Sequence, residues 1–286
     1  MLPVPTSLTR IFSDLHYGDR ASALTSLNSI APLFDGADEI VLNGDTLDTR
    51  PSHDPAATIE LREEVQSFFK VEGPPAIWLT GNHDPDISNQ HAVELAGRSI
   101  FVTHGDILFE ELVPWGRDAA TLRRRVAAEV AALPPESRIQ LAQLFPAYRR
   151  AAASIPQRHQ SERNRLKYAV SFAADTFWPP LRFLHVLRAW RETPARAAAL
   201  LARHRLPATH FVMGHTHRLG VTSTPSGLVV INTGAFCPPC SGGVVDVTPD
   251  RLILRSVERR GREYRLGAAL AEFALAGVVA PERLQS

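Results

Sequence analysis

The chain has 286 residues, 44% apolar and 21% charged, with 31 Lys/Arg against 30 Asp/Glu. That length and composition suit one large α/β domain, or one domain with a sizeable insertion. No apolar run approaches the ~18–20 residues of a membrane-spanning helix. Two cysteines, Cys237 and Cys240, are too few for a disulfide framework and fit a reducing compartment. The first residues lack the basic start and apolar core of a secretory signal. The expected location is the cytoplasm, with peripheral contact at the inner face of the membrane open.

In chain order, residues 8–12 form a short strand ending in Ser13-Asp14-Leu15-His16. Residues two apart on extended chain point the same way, so Asp14 and His16 can face one site while Leu15 faces the core. Residues 20–34 read as a helix, with Leu24, Leu27 and Ile30 on one stripe. Residues 39–42 are a second strand, followed by Asn43-Gly44-Asp45 and Asp48. Residues 56–70 are a second helix, with Ile59, Val65, Phe68 and Phe69 as its apolar side, broken at Gly73-Pro74-Pro75. Residues 76–79 read as a buried strand running into Gly81-Asn82-His83-Asp84. Residues 100–102 lead into His104-Gly105-Asp106, and residues 209–213 into Gly214-His215-Thr216-His217. Strands follow at 228–231 and 244–247, the latter paired with 251–257 as a hairpin. Residues 264–275 read as a closing helix.

Between Asp106 and Thr209 the pattern changes to amphipathic helical stretches broken by prolines. Residues 107–205 are therefore read as a helical insertion, or cap, on a core made of 1–106 and 206–286. The insertion carries 17 Lys/Arg against 8 Asp/Glu, and the remainder 14 against 22, so a near-neutral total hides a basic cap on an acidic body.

The ligand-type residues Asp14, His16, Asp45, Asn82, His104, His215 and His217 each lie just past a strand end. Ligands gather outside those ends in open α/β sheets. Three oxygen donors and four imidazoles suit Mn²⁺, Fe, Zn²⁺ or Co²⁺ better than Ca²⁺. Seven donors are too many for one tetrahedral ion and a natural number for two ions sharing a carboxylate. Such a pair can hold a bridging hydroxide in line with a phosphorus and stabilise charge on the phosphoryl oxygens. His83 is then the imidazole left free to protonate a leaving group, with Asp84 to orient its ring.

The series Asp14-x-His16, Gly44-Asp45, Gly81-Asn82-His83-Asp84, His104 and Gly214-His215-x-His217 resembles that of the calcineurin-like metallophosphoesterases. The resemblance implies a four-layer α/β/β/α sandwich and a two-metal hydrolase of phosphoric esters or anhydrides. It implies one ion on Asp14, His16, Asp45 and His217, and another on Asp45, Asn82, His104 and His215, with Mn²⁺ the first expectation. The long insertion after His104-Gly105-Asp106 is similar to that of the UDP-2,3-diacylglucosamine hydrolases, which implies a pyrophosphate substrate on a nucleotide-linked lipid. Those hydrolases carry Arg where this chain has His83. That departure keeps a cyclic-nucleotide phosphodiesterase or nuclease open as the alternative, with nucleic acid as its partner. A metal-stabilised scaffold without hydrolysis is the third reading.

Arg218, directly after a metal ligand, and Arg158 and Arg163 in the cap are candidate substrate contacts, against the plainer reading of solvated cations. Asp48 and Asp106 are read either as supports for ligands or as turn and capping residues. Cys237-Pro238-Pro239-Cys240 reads as a loop near the site mouth, with a redox pair as the alternative.

Overall fold

Apolar residues at successive positions of a short strand are sorted to opposite faces, and here both faces are buried. The computed structural model describes residues 7–157 and 181–275. Its strands are β1 (Thr9–Phe12), β2 (Glu39–Asn43), β3 (Ala76–Leu79), β4 (Ala92–Leu95), β5 (Ile100–Thr103) and β6 (His210–Met213), followed by β7 (Gly220–Ser223), β8 (Val229–Asn232), β9 (Gly243–Val247), β10 (Arg251–Arg260) and β11 (Glu263–Ala274). They form one sheet in the order β11-β10-β9-β1-β2-β3 and another in the order β4-β5-β6-β8-β7. Ile11, Val41, Val102 and Val212 point between the sheets. Their neighbours Phe12 and Leu42 point outward from the first sheet, and Phe101, Phe211 and Met213 outward from the second.

Helices cover both outer faces. The helix α1 (Pro55–Glu72) starts where the Asp54 side chain accepts the Ala57 N–H at 3.1 Å and Pro55 takes the first turn, a position where a missing N–H costs nothing. Its Val65 and Phe69 pack on Phe12 and Leu42. Beyond β5 the described helices are α2 (Ala119–Ala131), α3 (Leu141–Ala153) and α4 (Leu181–Arg203). Leu144 and Phe145 of α3, with Ala189, Ala197 and Leu201 of α4, cover the second sheet, while Leu122 and Val126 of α2 pack on Ala151 and Ala152 of α3. The result is an α/β/β/α sandwich.

Several elements depart from expectation. The segment read as a helix over 20–34 forms turns and then a 3-10 helix at Leu27–Leu33. The spacing of three between Leu24, Leu27, Ile30 and Leu33 is the 3-10 period, which stacks them on one face, and all four are buried. Ile59, assigned to the apolar side of α1, is 57% exposed. The closing helix is instead β11, a hairpin partner of β10 that turns at Gly261 with φ +66°. Alanine and leucine favour helix locally, but the open edge of β10 offers a full ladder and tertiary pairing wins. The edge strands β4 and β7 carry only half-buried or exposed residues, so no alternation marks them in the sequence.

Candidate metal centre

Within each sheet the strands that carry the ligand-type residues run parallel: β1, β2 and β3 in one, β5 and β6 in the other. Their C-terminal ends therefore meet, and the loops that follow bring Asp14, His16, Asp45, Asn82, His104, His215 and His217 together. The chain bends sharply to do this. Asp14, His16, Asp45, His215 and His217 all hold positive φ, between +47° and +64°. Non-glycine residues avoid that region, at a cost of ~1–2 kcal/mol each. Five strained residues clustered at one point are a mark of function.

The loops are laced to each other. The N–H groups of Asp14, His16 and Tyr17 donate to the carbonyls of Gly44, Asp45 and Thr46 at 3.1, 3.0 and 2.8 Å. Two glycines let the loops touch. A Cβ on Gly81 would lie 2.2 Å from Asp45 Oδ1, and one on Gly214 would lie 2.0 Å from Asp14 Oδ2.

The donors form two nests. In one, His217 Nε2 lies 3.1 Å from Asp14 Oδ1 and 3.4 Å from His16 Nε2. In the other, His104 Nε2 lies 3.3 Å from both Asp45 Oδ2 and Asn82 Oδ1, and His215 completes the group. Asp45 Oδ2 is also 3.9 Å from His16 Nε2. That one oxygen therefore sits between the nests, while Asp45 Oδ1 accepts the His83 N–H at 2.8 Å. Ligands about 2.1 Å from one ion stand roughly 3–3.5 Å apart, so these separations fit ion-binding nests. Asp14 and Asp45 are 0% and 2% exposed, and among the described residues their ion-pair partners are histidines alone. Buried carboxylates without a Lys or Arg call for a cation.

The tautomers agree with that role. His104 Nδ1 donates to the Asn43 carbonyl at 3.0 Å, which turns Nε2 toward Asp45. His215 Nε2 donates to the Leu112 carbonyl at 2.8 Å, which leaves Nδ1. Fixing a ring through its second nitrogen is how proteins orient metal-binding histidines. Burial alone would push His104 down, but the Asp45 and Asp14 carboxylates hold it up at about 10. His217 is likewise opposed by burial and held at about 10 by Asp14 and Cys240. Burial pushes His16 and His215 down to about 4, with neighbouring imidazoles adding to the effect. Ion binding at these nests must therefore displace protons from His104 and His217.

His83 and Asp84 divide differently from expectation. Asp84 is fully buried and does not touch the His83 ring. Its Oδ1 accepts the N–H groups of Gly81 at 2.7 Å and Asp45 at 2.9 Å, and its Oδ2 that of Thr46 at 2.8 Å. It is the clamp that holds the β2 and β3 loops in register. The residue that orients His83 is Asp48, whose Oδ2 lies 3.0 Å from His83 Nδ1. Arg50 completes the group, with Nη2 2.6 Å from Asp48 Oδ2 and 2.9 Å from His83 Nδ1. Burial opposes the Asp48 charge, but His83 and Arg50 hold its carboxyl far below the usual range. Sequence reasoning missed Arg50. A single loop arginine five residues past Asp45 carries no signal of its own.

The remaining candidates lie elsewhere. Arg218 is exposed, with its guanidinium 5.3 Å over the Trp190 ring. It lines a separate cavity of about 180 Å³ and is absent from the lining of the cleft at the nests. Arg158 and Arg163 fall outside the described residues. Asp106 is fully buried and paired with Arg149 of α3. Cys237 and Cys240 line the cleft beside His217.

Two sheets whose strand ends converge on paired nitrogen and oxygen nests, with the His83 imidazole held alongside by Asp48, define a metal-dependent phosphoesterase site. The sequence profile of the calcineurin-like phosphoesterases matches residues 9–219, and the chain belongs to that family. No curated protein matches it. Among solved structures it is similar to a dimetal phosphatase from Danio rerio, at 16% identity and TM-score 0.42, covering 92% of this chain and 99% of that one. It is also similar to Vacuolar Protein Sorting 29 from Cryptosporidium parvum, at 14% identity and TM-score 0.44, covering 94% and 98%. A predicted phosphoesterase from Streptococcus pneumoniae aligns at 12% identity and TM-score 0.40, covering 95% and 99%.

Proposed function

We propose that the chain hydrolyses a pyrophosphate or phosphodiester bond in a substrate with an apolar portion, such as a nucleotide-linked lipid. The observation that supports this most is the cleft. His16 and His217 of the first nest line a space of about 540 Å³ whose wall includes Trp115, Leu122, Ile155, Val186 and Trp190, together with His83 and Arg50. A bare phosphate has no use for such a wall, and an acyl chain does.

Asp14, His16, Asp45 and His217 would hold one divalent ion, and Asp45, Asn82, His104 and His215 the other, with Mn²⁺ preferred. When bound, the ions polarise a phosphoryl oxygen and acidify water. The protein's own residues do the rest. Asp48 fixes the His83 ring through Nδ1, which leaves Nε2 to hold the proton for the departing oxygen. Arg50 meets the phosphate charge from the same side. The described helices of the basic segment 107–205, α2, α3 and α4, would form the cap and carry any contact with an anionic membrane surface.

A hydrolysis panel with Mn²⁺ tests the reading: a UDP-linked diacyl lipid, UDP-sugars, other nucleotide pyrophosphates, a cyclic nucleotide and single-stranded DNA. The lipid-linked pyrophosphate is expected to be cleaved with the highest kcat/KM. Preference for the cyclic nucleotide or DNA would move the assignment to the phosphodiesterase reading. Mn²⁺ binding without hydrolysis of any of these would leave a scaffold.

A further inference from the structure

The cysteine pair is outside the hydrolytic machinery, yet it borders it. Cys237 and Cys240 are both free and half-buried, and both line the cleft together with His16, His83 and His217. The Cys240 N–H donates to the Cys237 carbonyl at 2.9 Å, closing a four-residue turn. Such a turn holds its end Cα atoms within about 7 Å, the range in which a disulfide forms, about 4.4–6.8 Å. The base of the loop is pinned on both sides. Gly234 bridges Gly242, and the Phe236 N–H donates to the Asp14 carbonyl at 3.0 Å. Closing a bond inside the loop therefore moves its side chains and leaves its anchors. One of those side chains matters: Cys240 lines the same cleft as the His217 ring and acts on the proton affinity of that ring.

We infer that Cys237 and Cys240 form a reversible dithiol–disulfide pair whose oxidation weakens ion binding at the Asp14, His16 and His217 nest. A peroxide is the oxidant by class. The Cys240 sulfur attacks the peroxide O–O bond, which breaks to give a sulfenic acid and one water. The Cys237 sulfur then attacks the Cys240 sulfur, the S–S bond forms, the S–O bond breaks and a second water leaves. Two sulfurs give up two electrons in all, and both thiol protons end in water. The new bond draws the Cys240 sulfur toward Cys237 and away from His217, and so removes a support of the ring. Loss of a partner that orients a metal-binding histidine lowers metal affinity by about 10–100-fold. In a reducing compartment the open dithiol is the resting state, and such pairs serve as sensors there.

The coupling rests on the metal-centre reading, whereas the disulfide itself does not. The test treats the full chain with hydrogen peroxide, counts free thiols, measures intact mass and titrates Mn²⁺ by calorimetry before and after. The wild-type protein is expected to lose both thiols with a mass decrease of ~2 Da, reversed by dithiothreitol. Its Mn²⁺ affinity at one site is expected to fall about tenfold when oxidised and to recover on reduction. Cys237→Ser, which keeps Cys240 against His217, should bind Mn²⁺ normally when reduced and gain no disulfide within the chain. Thiols that survive, or a mass gain of oxygen that dithiothreitol does not reverse, would overturn the pair. A clean disulfide with unchanged Mn²⁺ affinity would overturn the coupling. If the reduced protein bound no Mn²⁺ at all, the metal-centre reading would fall and the coupling with it, while the thiol count would still decide the disulfide.

Discussion

Asp48 and Asp84 are both buried acids beside the same turn, and they should fail in opposite ways. Asp84→Ala removes the acceptor of three backbone N–H groups, those of Gly81, Asp45 and Thr46. The carboxylate is 0% exposed, so water does not simply replace it. A buried donor without a partner costs about 1–3 kcal/mol, so three of them cost roughly 3–9 kcal/mol, a large share of an ordinary 5–15 kcal/mol stability. At about 2–4 °C per kcal/mol for a chain of this size, the midpoint of thermal unfolding should fall by ~10 °C or more. Asp48→Asn keeps one oxygen for the Arg50 N–H and Nε, loses the oxygen that Arg50 Nη2 uses, and should cost only about 1–2 kcal/mol. Its effect is on His83: the ring loses the oxygen 3.0 Å from Nδ1, and kcat should drop by about 10²-fold with KM little changed. Differential scanning calorimetry in a chelator and hydrolysis of bis-p-nitrophenyl phosphate with Mn²⁺ separate the two. An Asp84→Ala protein that melts like the wild type but has lost kcat would refute the division of labour, because Asp84 would then be acting on His83 after all.

Three further outcomes follow from the same geometry. Without metal, His104 and His217 titrate near 10 in the folded protein against about 6.5 unfolded; their stabilisation is full below pH 6.5 and is lost as pH rises toward 10. The thermal midpoint in a chelator should therefore fall across that window, and the gap opened by added Mn²⁺ should widen with pH; a gap that shrinks would count against these histidines as ligands. Gly81→Ala places a Cβ 2.2 Å from Asp45 Oδ1, so calorimetry should find Mn²⁺ affinity reduced by at least about tenfold, whereas alanine at the open Gly36 should leave it unchanged. Arg50→Ala should raise KM by about tenfold or more for a pyrophosphate substrate, the loss of one charge-assisted contact of ~1.5–3 kcal/mol, and Arg50→Lys should recover only part of it; equal KM values for all three proteins would remove Arg50 from the substrate.

The ligand-bearing strands and the order of the ligands were legible because both come from short-range patterns. A short strand with an apolar core followed by a polar cluster recurs at residues 8–16, 39–45, 76–84, 100–106 and 209–217, with a glycine at the turn in all but the first, and parallel pairing then brings every such end to one edge. What the pattern lacks is long-range contact. Asp84 stands next to His83 in sequence, and adjacency suggested that it orients the ring, but successive side chains at a turn diverge. Asp48 reaches His83 only because the β2 and β3 loops are neighbours, with the Thr49 N–H donating to the His83 carbonyl at 2.9 Å. Arg50 is invisible for the same reason. The β11 segment misled in another way. Its alanines carry helical propensity of a few tenths of a kcal/mol per residue, while the edge of β10 supplies a ladder of hydrogen bonds over the whole strand.

The strain at the nests is best understood together with their charge. Five ligand-type residues hold left-handed backbone, at a combined cost of roughly 5–10 kcal/mol, and among the described residues the ion-pair partners of the two buried carboxylates are imidazoles. A chain that served only as a packed sandwich would relieve both with glycine or asparagine at the turns and neutral side chains in the cluster. Here the lacing of the β1 and β2 loops, the Asp84 clamp and the close approaches at Gly81 and Gly214 hold the strained arrangement in place. Asp45 sits at the centre of both effects: its backbone is left-handed, its N–H is clamped by Asp84, and its Oδ2 faces both nests. The strained turns at the strand ends thus surround the described residue whose oxygen faces both nests.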